Sequence, residues 1–119
     1  TGIDSNLQAI SNAKNNALLN NIKNCQFIAG PCEHVLVNLK KRFNRIIVDP
    51  PRAGLKEAFI RSILSVSPEI IVYISCNPST LARDIKQFIL NDYKLLDIQP
   101  LDMFPQTSSI ENIVLLQKI

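Results

Sequence analysis

The chain has 119 residues, of which 46% are hydrophobic and 19% charged. Those values belong to an ordinary globular domain and exclude a disordered tail or a low-complexity linker. The formal net charge of +3 is mild, so an acidic partner is compatible with the composition without being demanded by it. A chain of this length is one domain's worth and can bury roughly two-thirds of its unfolded surface. Its apolar stretches are broken by Asp, Asn, Lys or Pro well before the about 18 residues of a membrane span. It opens at Thr1 with no charged-then-apolar leader. Its first residues already read as strand, so the start is expected to be a cut through a longer chain.

Strands and helices alternate along the sequence. Residues 1–4 read as the end of a strand. Ser5 or Asn6 is a cap for a helix reaching about Asn21, with Leu7, Ile10, Ala13 and Ala17 on one face. A short strand is predicted at Gln26–Ala29. Glu33–Lys41 is predicted as a second helix ended by basic residues that suit its C-terminal dipole. Arg45–Asp49 is an apolar run that stops on an acid, and Pro50-Pro51 closes it. A helix over 55–65 precedes the strongest strand, Glu69–Ser75, whose apolar run predicts burial on both faces. Pro78 suits the first turn of a helix that reaches about Leu90. Lys94–Leu101 and Glu111–Lys118 are the last strands, separated by the loop Asp102–Ser109.

This order predicts an α/β layered sheet, parallel for the most part and closed by an antiparallel pair. In such sheets ligands bind off the carboxyl ends of the strands. That rule singles out Asp4, Pro31–Glu33, Asp49–Arg52 and Ser75–Asn77, which are predicted to share one edge.

Cys25, Cys32 and Cys76 make an odd set with no Cys-x-x-Cys or Cys–His metal spacing, and His34 is the lone histidine. A reducing, cytoplasmic setting is therefore expected, with no disulfide framework and no metal in this segment. The basic residues Lys40, Lys41, Arg42, Arg45 and Arg52 cluster, which equally describes a solvated helix end and loop.

Four constellations can carry chemistry. Asp49-Pro50-Pro51-Arg52-Ala53-Gly54 holds a carboxylate rigidly after a buried strand, although a strand end with a proline turn has the same form. Tyr73–Thr80 contains a thiol, Cys76, at a strand-to-helix junction where helix N–H groups favour thiolate; a lone cysteine elsewhere is usually an inert small hydrophobe. Leu101–Glu111 places Glu111 at the mouth of the last strand, where a solvated surface acid is the plainer alternative. Gly2-Ile3-Asp4 puts an acid at a strand's end ahead of a helix, a position that accepts ribose hydroxyls in nucleoside-binding folds.

Together these motifs resemble the RNA (uracil-5-)-methyltransferases, and the match covers essentially the whole chain. Asp49–Gly54 and Ile71–Thr80 reproduce the family's first signature, Asp-Pro-Pro-Arg-x-Gly followed by an aliphatic pair and Tyr-x-Ser-Cys-Asn-x-x-Thr. Asp102–Glu111 matches the second, Asp-x-Phe-Pro-Gln-Thr-x-His-hydrophobic-Glu, except that Ser109 stands at the histidine. The resemblance implies a Rossmann-like class I methyltransferase sheet lacking its first strand and glycine loop. Residues 1–119 would then be the C-terminal portion of the catalytic domain. It implies S-adenosylmethionine as cofactor and a uridine of structured RNA, transfer RNA or large-subunit ribosomal RNA, as substrate. Cys76 falls at the family's nucleophile position and Glu111 at that of the base. Asp4 matches the acid for the cofactor's ribose, and Asp49 the acid where cofactor meets target base. Arg52 and Asn77 are supports for the target strand and the loop. Pro31 falls where a residue near the adenine is expected and offers no polar side chain. An enzyme of this kind needs its target base unstacked.

Two other readings compete. Amino-group methyltransferases also place an acid or Asn before Pro-Pro, but they need an aromatic residue where Arg52 stands and have no use for Cys76. A non-catalytic remnant that only contacts RNA or another subunit is favoured by Ser109 and opposed by the Asp49, Cys76 and Glu111 set. The segment alone is expected to bind cofactor weakly and to be inactive.

Overall fold

A computed structural model describes all 119 residues. Its elements are β1 (Gly2–Asp4), α1 (Leu7–Leu19), β2 (Phe27–Ala29), α2 (Cys32–Asn38), β3 (Arg45–Val48), α3 (Glu57–Val66), β4 (Ile70–Ser75), α4 (Pro78–Ile89), β5 (Tyr93–Leu101) and β6 (Glu111–Lys118). The alternation read from the sequence is present, with most ends within two residues of prediction. The chain divides into two compact units, Thr1–Lys40 and Lys41–Ile119. No helix is long and apolar enough to cross a membrane.

In the first unit β1 and β2 pair in parallel, from Gly2 opposite Phe27 to Asp4 opposite Ala29. Asn6, rather than Ser5, caps α1: its side-chain oxygen accepts from the N–H groups of Gln8 (2.9 Å) and Ala9 (3.1 Å). The predicted apolar face of α1 is buried only at Ile10, and Leu7 is 76% exposed. Length explains this. Three-residue strands offer about 10 Å of sheet to a helix of about 20 Å.

The second helix also departs from prediction, because α2 stops at Asn38 and its last turn holds no basic residue. Lys40 adopts a left-handed backbone (φ 48°) and turns the chain away. The basic run therefore follows the helix instead of capping it.

The second unit is a four-stranded sheet ordered β3-β4-β6-β5. β3 and β4 are parallel, whereas β6 runs antiparallel to both β4 and β5. One mainly parallel sheet was predicted; two sheets form, and the larger is mixed. A direct loop from β5 to β6 makes those two antiparallel neighbours. Inserting β6 between β4 and β5 satisfies both its edges and leaves β5, with Pro100 and mostly exposed side chains, at the sheet's edge.

β4 is buried on one face only. Ile71, Tyr73 and Ser75 are buried while Ile70, Val72 and Ile74 are half-buried, against the expectation of burial on both. On that face the Tyr73 hydroxyl reaches Asp84 of α4, and Ile60 and Ile63 of α3 and Leu81, Ile85 and Phe88 of α4 are buried as well. Each such aliphatic or aromatic side chain contributes about 1.5–3 kcal/mol on burial. Phe88 meets Tyr93 edge to face at 6.0 Å, and the Tyr93 hydroxyl donates to the Pro68 carbonyl (2.7 Å).

Candidate active site

β3 and β4 are parallel and β6 is antiparallel to β4, so the end of β3, the end of β4 and the start of β6 lie at one edge of the larger sheet. Asp49 follows β3 directly and is exposed. Cys76 follows β4 directly and is half-buried. Glu111 opens β6 and is half-buried. The last register pair between β4 and β6 is Ser75 with Asn112. Cys76 directly follows one member of that pair and Glu111 directly precedes the other, so the two adjoin the same end of the ladder.

The turn carrying Cys76 is built by its neighbours. The Ser75 hydroxyl accepts from the Asn77 N–H and donates to the Asn77 carbonyl, both at 3.1 Å. Asn77 then caps α4, its side-chain oxygen accepting from the Ser79 N–H (3.0 Å), with Pro78 as first helical residue. The thiol therefore sits between a strand end and a helix cap, both fixed by hydrogen bonds.

The loop after Asp49 is tied to that same helix. The Asn77 amide donates to the Arg52 carbonyl (3.2 Å). The Thr80 hydroxyl lies 3.1 Å from the Arg52 carbonyl and 3.2 Å from that of Asn77, sharing one proton between them. Asp84 is 1% exposed, and its Oδ2 accepts from the Leu55 N–H and the Tyr73 hydroxyl, each at 2.7 Å. Its Oδ1 accepts from Arg83 Nε (2.8 Å) and lies 2.7 Å from Nη2 in an ion pair. The charge is thus buried with a full set of donors. Burial raises the Tyr73 phenol well above its ordinary value, and the Asp84 hydrogen bond and charge raise it further.

The sequence reading passed over Asp84. A signal was present: Leu81, Asp84, Ile85 and Phe88 fall at helical spacing on the buried face of α4, so an acid occupies a core position.

Asp4 lies in the first unit, at the carboxyl end of β1. Its Oδ1 accepts from the Asn6 N–H at 2.7 Å, and the residue is otherwise exposed. In the same unit Cys32 opens α2 and its thiol contacts the Ile3 carbonyl (3.6 Å). Burial raises that thiol's pKa first, followed by the charges of Asp4 and Glu33. Ser109 is half-buried, its N–H donating to the Thr107 hydroxyl (3.2 Å). Asn112 is buried, and its side-chain NH₂ has no hydrogen-bond partner.

An α/β sheet with an antiparallel strand set between its last two members, and an acid, a thiol and a second acid at one edge, defines a methyltransferase-like domain. Solved structures share this fold. The precorrin-6y C5,15-methyltransferase of Geobacter metallireducens superposes over 98% of this chain and 65% of its own, with a TM-score of 0.76 at 13% identity. The tRNA (uracil-54, C5)-methyltransferase of Pyrococcus abyssi, solved with S-adenosyl-L-homocysteine, reaches a TM-score of 0.85 at 42% identity. It covers 97% of this chain and 28% of that one. A relative in Streptococcus pyogenes serotype M3, named an uncharacterized RNA methyltransferase, is 46% identical over 113 residues, covering 92% of this chain. The chain spans about a quarter of the curated relatives it matches, 24% in that case. The tRNA (uracil-5-)-methyltransferase family model matches residues 4–119, and the chain belongs to that family.

Proposed function

We propose that this chain is the C-terminal portion of the catalytic domain of a cytoplasmic enzyme that methylates C5 of a uridine in structured RNA, with S-adenosylmethionine as methyl donor. The observation that supports the proposal is the β4–β6 register, whose last pair, Ser75 with Asn112, is flanked by Cys76 and Glu111 in a chain of this family. The proposal concerns the full-length protein. Residues 1–119 alone are expected to be inactive, because the family's relatives are far longer. The free thiols of Cys25, Cys32 and Cys76 suit a reducing compartment.

The residues present fit the cofactor. One Asp4 oxygen is committed to Asn6, which orients the carboxylate and leaves Oδ2 for a vicinal pair of ribose hydroxyls. Asp49, exposed at the end of β3, is assigned to the junction of cofactor and target base. When bound, S-adenosylmethionine supplies its methyl group as a sulfonium electrophile.

C5 of uracil is a poor nucleophile, and the ring gives up its C5 proton reluctantly. The Cys76 thiolate adds at C6, forming an S–C bond and pushing the ring electrons into an enolate whose C5 is nucleophilic. After C5 is methylated, Glu111 takes its proton. The C–H electrons restore the C5–C6 double bond and expel the Cys76 thiolate. Arg52 and Asn77 support the target strand and the loop around it.

A trap tests this reading. RNA carrying 5-fluorouridine has no C5 proton for Glu111 to remove, so the full-length protein with cofactor should accumulate a protein–RNA adduct. Cys76→Ala should abolish it. No adduct with either transfer RNA or large-subunit ribosomal RNA would sink the thiolate mechanism. It would favour instead a non-catalytic RNA- or subunit-binding role, the reading that Ser109 at the histidine position supports.

A further inference from the structure

We infer that Thr80, Arg83 and Asp84 are positioning residues that latch the Arg52–Leu55 segment onto α4, thereby fixing Asp49 relative to Cys76; this rests on the function proposed above. The latch has three points along one helix. Near the start of α4, Thr80, together with the cap Asn77, holds the Arg52 carbonyl. One turn later Arg83 Nη2 donates to the carbonyls of Ala53 (3.0 Å) and Leu55 (3.4 Å). Beside it, Asp84 takes the Leu55 N–H. The segment also closes on itself, the Gly54 N–H donating to the Pro51 carbonyl at 2.8 Å.

These bonds exceed what folding requires. Arg52 and Ala53 are exposed, so water would satisfy their carbonyls at little cost if only stability mattered. Instead, side chains of α4 hold both, and a buried carboxylate is retained beneath them. Asp84 is costly to bury, and what it secures is the backbone directly after Asp49-Pro50-Pro51. The Cys76 turn is joined to the same helix through Asn77. Asp49 and Cys76 therefore move as parts of one body, and a reaction that joins a cofactor and a base needs that spacing held within a fraction of an ångström.

The test uses the full-length protein. Thr80→Val removes one hydroxyl at a half-buried position, and Thr80→Ser restores it. Arg83→Lys keeps a positive charge beside Asp84 but loses the Nε bond to its Oδ1 and the fork that reaches Ala53 and Leu55. Arg83 is 55% exposed in its side chain, so this variant removes little buried apolar surface and retains a cation for Asp84. Both Thr80→Val and Arg83→Lys should lower kcat and the rate of 5-fluorouridine adduct formation about tenfold or more. KM for the cofactor and the melting temperature should stay near those of the unsubstituted protein, and Thr80→Ser should recover the rate. Unchanged kcat and adduct rate in both variants overturn the inference alone. So does a loss of rate that merely follows a fall in melting temperature. An unsubstituted protein that forms no adduct overturns the proposed function, and this inference with it.

Discussion

Ser75 and Asn112 face each other as the final pair of the β4–β6 ladder, both buried, and each stands next to a residue proposed to do chemistry. Side chains alternate along strands, so the pair that packs inward dictates that Glu111 faces the other way, while Cys76 follows where the β4 strand ends. A slip of one residue in this register would shift Glu111 along the sheet relative to Cys76. It would also bring Gln117 to the buried face in place of Leu116, opposite Ile71, so packing protects the register.

Glu111→Gln should separate the two halves of the reaction. The amide cannot accept the C5 proton, so turnover should fall by about 10²–10⁴-fold. Adduct formation by Cys76 should persist, now visible with unmodified uridine RNA. Denaturing gels of protein with RNA and cofactor would show it; full turnover by the variant would remove Glu111 from the role of base.

Gly54→Ala should be destabilising. Gly54 has φ 79°, and an added Cβ would lie 2.6 Å from Asp84 Oδ2 and 2.7 Å from Arg83 Nη2. Those atoms cannot yield without breaking the network that holds Leu55. The combined backbone and steric cost should be about 2 kcal/mol or more, read as a lower midpoint in urea.

Tyr73→Phe should show a pH-dependent penalty. Burial, then the Asp84 hydrogen bond and charge, raise the Tyr73 phenol above its ordinary 10.0. The folded state therefore holds this proton more tightly than the unfolded one. The resulting stability is fully present below the unfolded value of about 10 and is lost as pH rises toward the folded one. The difference in melting temperature between the two proteins should be constant from neutral pH to about 9 and narrow above about 10. A constant difference through pH 11 would contradict the Tyr73–Asp84 bond.

Asp4→Asn keeps an acceptor for the Asn6 N–H but removes the charge proposed to meet the ribose hydroxyls. Losing a charge-assisted bond of about 1.5–3 kcal/mol should weaken cofactor affinity about ten- to a hundredfold. Calorimetric titration of the full-length protein with S-adenosylhomocysteine measures it. Unchanged affinity would place the ribose elsewhere.

The sequence was most legible where local signals agree. Pro78 after a polar cap, the acid closing Arg45–Val48 and the Glu111–Lys118 run all lie where periodicity and punctuation placed them. It was least legible where distant partners decide. Leu7 sits on a good helical face, but the two short strands beneath α1 cannot cover it. The order of β5 and β6 in the sheet has no local signature, because pairing depends on which edge most needs a partner. The candidate site followed the same division. Asp49, Cys76 and Glu111 were marked by motif, whereas Asp84 acts through residues 11 and 29 positions away in sequence.

The insertion of β6 between β4 and β5 also has a consequence for synthesis on the ribosome. β4 emerges with β3 already available on one side, but its other side can pair only with residues 112–117. Until those leave the exit tunnel, the strand that leads into Cys76 keeps an open apolar edge, with Ile71 and Tyr73 not yet enclosed by Leu116 and Val114. The nascent protein must therefore carry Cys76 beside an unfinished sheet, and chaperone capture should be most needed during translation of the roughly 40 residues that follow it.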